Sequence, residues 1–215
     1  MKAILFDLDG TLMDTSEGVI KSAIFAARAL GFDELPYEVM KTFIGPPMQE
    51  SFIKYYKCDK KIAQEAANVF RDYYLKNATT VATVYDGIYE LLRIIRERKI
   101  KIAVATYKRE DIALKMLNHF KIDSFCNVIH GADNNNILSK SDVVNMCLNE
   151  IGVDKKDVVL VGDTLHDAKG AYESGIDFIA ALYGLGFVAE SDICCYPYIG
   201  AIKKPIELLE YIRGD

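Results

Sequence analysis

Five short segments of the chain are almost continuously apolar and rich in Val and Ile, namely residues 2–6, 100–105, 125–129, 158–161 and 178–182. This pattern is typical of parallel strands that are covered on both faces. Apolar positions at helical spacing alternate with the later runs, which predicts helices over residues 87–99, 110–120 and 141–151. The alternation predicts an α/β fold with a doubly wound, mostly parallel, Rossmann-like sheet and right-handed crossovers.

The segment between the first two apolar runs has a different pattern. No strand is predicted from residue 15 to residue 83, and two stretches within it carry their apolar residues on one helical face. We therefore expect a small all-helical cap domain over residues 15–83, inserted in an α/β core domain of residues 1–14 and 84–215. An insertion at this point would lie above the carboxyl ends of the strands, where α/β sheets bind ligands.

Composition narrows the classes of function and partner. The chain has 215 residues, of which 51% are hydrophobic, and a formal net charge of -5 from 26 basic and 31 acidic residues. A mixed, mildly acidic surface argues against nucleic acid as a partner but allows a small anionic ligand at a local site. No apolar run approaches the roughly 18 residues of a membrane span, and no signal-peptide pattern occurs. These features predict a soluble cytoplasmic protein with no membrane partner.

The cysteines do not suggest a structural cross-link. Their number is odd, their spacings are irregular and no CxxC motif occurs, which disfavours a disulfide framework or a zinc site. We expect buried or half-buried reduced thiols at all five positions: Cys58, Cys126, Cys147, Cys194 and Cys195.

The first acidic motif directly follows the first apolar run. It reads Asp7-Leu8-Asp9-Gly10-Thr11. Two carboxylates at a strand end are costly near a core, and a bound divalent cation with oxygen ligands, such as Mg²⁺, offsets their repulsion. Gly10 allows a tight turn whose N–H groups can face an anion. The alternative is a solvated turn that merely ends a strand.

A second acidic motif follows the apolar run 158–161. Gly162 and Asp163 end that run, and Asp167 comes four residues later. If a helix begins near Leu165, both acids can point toward a cation at the strand ends. The alternative is helix capping, because Asp at the N-cap and in the first turn stabilises a helix.

Two further residues become candidate site residues only because the acidic motifs are present. Thr106 closes the run 100–105, and its hydroxyl could bond a phosphate oxygen. Lys140 precedes a predicted helix and could balance the charge of a site with several acids. Alone, a threonine at a strand end and a lysine in a loop indicate nothing specific.

Together, these features resemble the haloacid dehalogenase superfamily over nearly the whole chain. Asp7-x-Asp9-Gly10-Thr11 looks like its first motif, Thr106 like the second, Lys140 like the third, and Gly162-Asp163-Thr164-x-x-Asp167 like the fourth. The helical insertion resembles the cap of the phosphoglycolate phosphatase-like branch, and the stretch containing Gly45 and Pro46 looks like its specificity loop. The sequence departs from the family at Tyr107, where Asn is frequent, and at Ser141, where Pro is frequent.

The resemblance implies a Mg²⁺-dependent phosphatase that hydrolyses a small phosphorylated metabolite, such as a phosphoglycolate-like ester, a nucleotide or a sugar phosphate. It implies that Asp7 is the nucleophile that forms an aspartyl-phosphate, that Asp9 is the acid and base, and that Thr106 and Lys140 hold the phosphate. The implied metal ligands are Asp7, Asp9 (through its carbonyl), Asp163 and Asp167. The implied substrate-binding residues are Gly10, Thr11, Gly45, Pro46, Tyr107 and Lys108.

Three other functions are compatible with parts of this pattern. A phosphosugar mutase would use the same nucleophile and cap but return the phosphoryl group to its substrate. A dehalogenase would leave the acids Asp9 and Asp163 unexplained. A non-catalytic protein could retain the site to bind a phosphorylated ligand. The sequence leaves the substrate open and is compatible with a monomer or a homodimer.

Overall fold

The computed structural model describes residues 1–135, 137–193 and 195–212. Its helices are α1 Ser16–Ala29, α2 Tyr37–Lys41, α3 Met48–Tyr56, α4 Lys60–Asn77, α5 Ile88–Glu97, α6 Glu110–His119, α7 Lys140–Ile151 and α8 Leu165–Ser174. Its strands are β1 Ala3–Phe6, β2 Met13–Asp14, β3 Thr83–Val84, β4 Lys101–Arg109, β5 Val128–Ala132, β6 Val158–Gly162, β7 Asp177–Ala181 and β8 Gly200–Ile202.

Six strands form one parallel sheet in the order β5-β4-β1-β6-β7-β8. β1 is central, between β4 and β6, and its four residues are fully buried. Apolar side chains cover both faces of the sheet, as its near-continuous apolar strands predict. The chain order changes direction beside β1, and such a switch point is where an open α/β sheet forms a crevice for ligands. The predicted α/β fold is confirmed.

Four details of the strand prediction were wrong. The run 125–129 predicted a strand, but β5 begins only at Val128 and Phe125 ends a short 3-10 helix, Asp123–Phe125. β4 continues beyond residue 105 to Arg109, and its pairing with β5 is irregular between Ala105 and Arg109. Thr106 therefore lies inside an irregular strand rather than at a strand end. β8 was not predicted, because it is only three residues long and its pairing with β7 arises from tertiary packing. β2 and β3 were also missed, and Thr83 belongs to β3 rather than to a strand-free segment.

The segment between β2 and β3 is helical and has its own packed aromatic residues. α1 packs against α4, and α3 packs against the same helix. Phe43 and Phe52 pack edge to face with ring centroids 5.7 Å apart, and Phe32 stacks on Tyr56 at 4.5 Å. β2 and β3 pair in an antiparallel ribbon, so the two chain crossings between this segment and the sheet lie side by side.

In the part of the chain that the structure describes, no helix combines the length and the apolar character needed to cross a bilayer. Cys147 is buried, and Cys58 and Cys126 are half-buried, but Cys195 is exposed, contrary to the prediction. Cys195 lies in a surface turn before β8, and sequence spacing alone does not reveal its exposure. Cys194 lies outside the described residues.

Candidate active site

The carboxyl ends of β1 and β6 bring three carboxylates together. Asp7 follows β1, Asp163 follows β6, and Asp167 lies in the first turn of α8. Each offers an oxygen within 4.8 Å of the other two, and each residue is at most 5% exposed. Neighbouring parallel strands end at one edge of the sheet, which is why residues so distant in sequence meet here. The side chain of Asp9 is not part of this group.

Lys140 links two of these acids. Its Nζ lies 2.7 Å from Oδ1 of Asp7 and 2.6 Å from Oδ1 of Asp167. The lysine is the first residue of α7 and is 3% exposed, so it is a buried cation and not a solvated surface charge. Its aliphatic stem crosses Gly170, where an added Cβ would lie 2.6 Å from Cγ of Lys140. The small residue in α8 thus makes room for the buried cation.

Burial sets the proton affinity of these groups. It raises the pKa of Asp7 to about 7, against the lowering effect of Lys140 and with a further increase from Asp167. Burial also raises the pKa of Asp163 well above its usual value, and repulsion from Asp167 and Asp7 adds to this effect. Burial alone would lower the pKa of Lys140, but the two acids that it contacts raise it. The lysine is therefore charged, and the ionised forms of Asp7 and Asp163 are unfavourable without a further cation.

Asp163 is held by a loop that the motif analysis did not identify. The N–H groups of Leu185 and Gly186 donate to its Oδ2 at 2.8 and 3.0 Å. Gly184 permits this approach, because an added Cβ there would lie 2.3 Å from the carbonyl oxygen of Gly10. The other oxygen, Oδ1, is buried and has no hydrogen-bond partner among the described residues. The only sequence signal for this loop is its pair of glycines at 184 and 186.

Asp167 also has the capping role considered as its alternative. It is the third residue of α8, and its Oδ2 accepts from the backbone N–H and the hydroxyl of Thr164, at 3.0 and 2.6 Å. Its Oδ1 faces Lys140. One carboxylate thus caps the helix with one oxygen and joins the acidic group with the other.

Gly10 fits closely against the acidic group. Its φ of +79° favours glycine, and an added Cβ would lie 2.0 Å from Oδ2 of Asp163. Gly10→Ala is expected to lower the free energy of unfolding by more than about 2 kcal/mol, because strain and collision add. Gly31→Ala is the matched control, since Gly31 has a φ of +75° with nothing near its Cβ. Urea unfolding of both variants measures the difference, and equal losses would mean that the contact with Asp163 is unimportant.

Asp9 lies in a separate polar group that joins the sheet to the helical segment. Its Oδ1 lies 2.9 Å from Nζ of Lys108 and also accepts from the hydroxyl of Thr15. Thr15 occupies the N-cap position of α1, but its side chain makes no capping bond because it turns to Asp9. Nζ of Lys108 lies 4.7 Å from the ring centroid of Tyr74 on α4. Neither Thr15 nor Tyr74 was identified from the sequence as part of a site.

The residues of β4 connect these groups. The Oγ1 of Thr106 accepts from the backbone N–H of Lys108 at 3.1 Å, and Thr106 is 1% exposed. The hydroxyl of Tyr107 accepts from the backbone N–H of Lys140 at 2.9 Å. The irregular end of β4 thus places three consecutive residues, Thr106, Tyr107 and Lys108, at the carboxyl edge of the sheet. Tyr107, which replaces the Asn frequent in the family, contacts the start of α7.

A cavity lies between the helical segment and the carboxyl edge of the sheet. Gly45 and Pro46 line it from the α2–α3 loop, opposite Asp9, Tyr107 and Lys108. Asp7 is not among its lining residues, so the cavity lies on the Asp9 side of the acidic group. Arg71 of α4 and Arg109 of β4 also line it and were not identified from the sequence. Thr11, in contrast, is fully buried, and its Oγ1 has no hydrogen-bond partner among the described residues.

Comparisons with known proteins agree with this architecture. Residues 4–181 match the family model of haloacid dehalogenase-like hydrolases. A 5'-nucleotidase of Pseudomonas aeruginosa is 35% identical over 85% of this chain and 83% of its own. The tyrosine-protein kinase PtkA of Mycobacterium tuberculosis is 33% identical over 85% of this chain, which spans 62% of the kinase. A crystal structure described as a predicted phosphatase from Clostridium acetobutylicum has a TM-score of 0.92 at 28% identity, and the match covers 98% of this chain and 97% of the other. The chain therefore belongs to the haloacid dehalogenase-like hydrolase family, as its four motifs predict.

Proposed function

We propose that the protein hydrolyses a small phosphate monoester with the help of Mg²⁺, through an aspartyl-phosphate formed on Asp7. The observation that carries this proposal is the buried group of Asp7, Asp163 and Asp167 with Lys140 at the switch point of the sheet. Burial and mutual repulsion make the ionised forms of Asp7 and Asp163 unfavourable unless a cation joins them. The 5'-nucleotidase activity named for the Pseudomonas relative is consistent with this reaction class.

The residues present fit a divalent cation that prefers oxygen ligands. Asp163 Oδ1 is buried without a partner, and oxygens of Asp7 and Asp167 lie within 4.8 Å of an oxygen of Asp163. We propose that Asp7 and Asp163 would hold Mg²⁺, with the carbonyl of Asp9 and with Asp167 directly or through water. When bound, Mg²⁺ would screen the repulsion between carboxylate and phosphate and stabilise charge on the transferring group.

The first step is displacement at phosphorus by Asp7. A carboxylate oxygen of Asp7 forms a bond to phosphorus, and the bond from phosphorus to the ester oxygen breaks. Lys140 fixes the orientation of Asp7 through Oδ1 and contributes positive charge beside the phosphate. The hydroxyl of Thr106 accepts from the Lys108 N–H, so its own proton can be donated to a phosphate oxygen.

Asp9 transfers protons in both steps of the proposed reaction. In the first, it protonates the leaving alkoxide; in the second, it takes a proton from the water that attacks the aspartyl-phosphate, which releases phosphate and restores Asp7. The lining of the cavity supports this role, because Asp9 faces the side where a leaving group would lie. Lys108 and Thr15 orient its carboxylate.

We further propose that residues 15–83 act as a cap on a core of residues 1–14 and 84–215. The proposed boundaries coincide with the β2–β3 ribbon, where the two crossings lie side by side. Gly45 and Pro46 would then contact the leaving group from the cap, and Tyr107 and Lys108 from the core. Gly10 does not line this cavity, and its N–H donates to the carbonyl oxygen of Met13 at 2.9 Å. Closure of the cap would exclude water from the reacting groups.

Phosphate release from a panel of small phosphate esters in Mg²⁺ tests the proposed function. We expect activity with Mg²⁺, loss of activity in EDTA, and recovery when Mg²⁺ is restored. Free phosphate distinguishes a hydrolase from a mutase, which would retain the phosphoryl group on an organic product. Binding of esters without any turnover would instead indicate a non-catalytic protein.

Asp163→Asn is expected to remove Mg²⁺ binding while the fold is retained. An asparagine side-chain oxygen can still accept from Leu185 and Gly186, but an amide is a poorer metal ligand than a carboxylate. We expect Mg²⁺ to raise the melting temperature of the wild type but not of the variant, because a ligand that binds only the native state stabilises it. Asp33→Asn, at an exposed position, is the control and should keep the shift. An undiminished shift in Asp163→Asn would contradict the metal assignment.

A further inference from the structure

Arg71 presents a buried guanidinium group to the substrate cavity. It lies on α4 and is 8% exposed. Its Nη1 donates to the carbonyl oxygen and to Oδ1 of Asn134, at 2.5 and 3.0 Å, and its Nη2 lies 3.4 Å from Oε1 of Gln49. All of these acceptors are neutral. Because buried cations are normally paired with anions, this arrangement is unusual and requires an explanation.

The other cations of the cavity have carboxylate partners. Lys108 pairs with Asp9, and Arg109 makes two bonds to Asp111, at 2.6 and 2.8 Å. No carboxylate among the described residues lies within ion-pair distance of Arg71. Asp133 also lines the cavity and contributes negative charge, but its oxygens accept from three backbone N–H groups of its own loop, those of residues 135, 137 and 138.

The oxygens of Asn134 that accept from Arg71 also accept from other donors. The carbonyl oxygen of Asn134 accepts not only from Arg71 but also from Nε2 of Gln64 at 3.2 Å and from Nε2 of Gln49 at 3.5 Å. Its side-chain oxygen is shared between Arg71 and Arg109. Arg71 thus shares both oxygens of Asn134 with other donors and has only neutral acceptors, and an anion entering the cavity would supply a charged one.

The position of Arg71 relates this region to the reacting groups. Arg71 is three residues before Tyr74 on α4, so the two side chains share a helix face. The Tyr74 ring contacts Lys108, which in turn binds Asp9. A leaving group whose ester oxygen lies beside Asp9 would therefore extend past Lys108 and Tyr74 toward Arg71.

We infer that the substrate carries a second anionic group, a carboxylate or a phosphate, on its leaving group, and that Arg71 binds it. This inference rests on the proposed function and specifies its substrate class. The planar guanidinium group suits either anion, because both accept two parallel hydrogen bonds. Arg109 adds positive charge nearby but remains bound to Asp111.

Three matched esters test the inference in Mg²⁺: propyl phosphates whose far carbon ends in a hydroxyl group, a carboxylate or a second phosphate. We expect the wild type to have a kcat/KM about 10- to 100-fold higher for at least one charged ester than for the hydroxyl ester. The better of the two charged esters identifies the anion. Equal values for all three would overturn the inference while leaving the proposed function intact. No phosphate release from any ester would overturn both.

Arg71→Gln tests the residue itself. We expect kcat/KM to fall about 10- to 100-fold for the preferred charged ester and by less than about 3-fold for the hydroxyl ester. Arg71→Lys should recover part of the preference, since it keeps the charge without the forked donors. Arg28→Gln, which removes an exposed arginine paired with Glu34, is the control and should change no ratio. An equal loss for all three esters would mean that Arg71 only fastens α4 to the Asn134 loop, and it would overturn the inference.

Discussion

Asp7→Asn is expected to lower phosphate release by about 10³-fold or more, because an amide oxygen is a poor nucleophile and cannot form the aspartyl-phosphate. The fold should not suffer. Burial raises the pKa of Asp7 to about 7, which means that its ionised form is unfavourable in the folded protein. In chelator at neutral pH, the variant should be as stable as the wild type or more stable. Urea unfolding and a phosphate-release assay measure the two effects.

The pH dependence of stability provides a second readout. The folded protein keeps the Asp7 proton up to about pH 7, whereas the unfolded chain loses it near the ordinary value of 3.8. The contribution of Asp7 to stability in chelator should therefore decline as the pH rises through this interval, and Asp7→Asn should lack that decline. Asp177→Asn, at an exposed position on β7, is the control for both readouts. Wild-type activity in Asp7→Asn would exclude Asp7 as the nucleophile.

Lys140→Met is expected to lower the free energy of unfolding by about 3–5 kcal/mol in chelator, because it leaves Asp7 and Asp167 buried without their cation. Methionine is close to lysine in length, so little of this loss would come from packing. The variant should also lose phosphatase activity, since the charge that orients Asp7 is gone. Urea unfolding at neutral pH measures the stability, and the phosphate-release assay measures the activity.

An exposed ion pair and a double variant are the controls for Lys140. Lys21→Met removes a partner of Glu17 on the surface of α1 and should cost less than about 1 kcal/mol. In Asp7→Asn with Lys140→Met, the combined loss should be smaller than the sum of the two single effects, because one of the uncompensated carboxylates is absent. A loss at Lys140 as small as that at Lys21 would show that the buried pairs contribute little.

The acidic motifs could be predicted from the sequence because each consists of residues that are close together in the chain. A short apolar strand followed by Asp7 and Asp9 identifies a sheet edge and its acids from adjacent residues alone. The same holds for Asp163 and Asp167, whose separation depends on the first turn of α8. The end of β4 was harder to predict from the sequence, because its irregular pairing beyond Ala105 depends on β5 and not on its own apolar pattern.

The residues that the sequence did not reveal act through contacts between distant segments. Leu185 and Gly186 bind Asp163 with backbone N–H groups, which have no residue-type signature. Arg71 is one of many charged residues on an amphipathic helix, and only the packing of α4 over the sheet makes it a buried cation at a cavity. Thr15 occupies the N-cap position of α1, but the proximity of Asp9 redirects its hydroxyl.

The sequence by itself determined the α/β class, the order of the motifs, the helical insertion and the family, because periodicity and the spacing of charged residues are properties of neighbouring positions. Only the tertiary structure decided which charges are buried together, since that depends on which strand ends meet at one edge. It pairs Lys140 with Asp7 and Asp167, separates Asp9 from that group, and leaves Arg71 facing neutral oxygens in the cavity. In a buried site, the energy of a charge depends on its neighbours, and those neighbours come from every part of the fold.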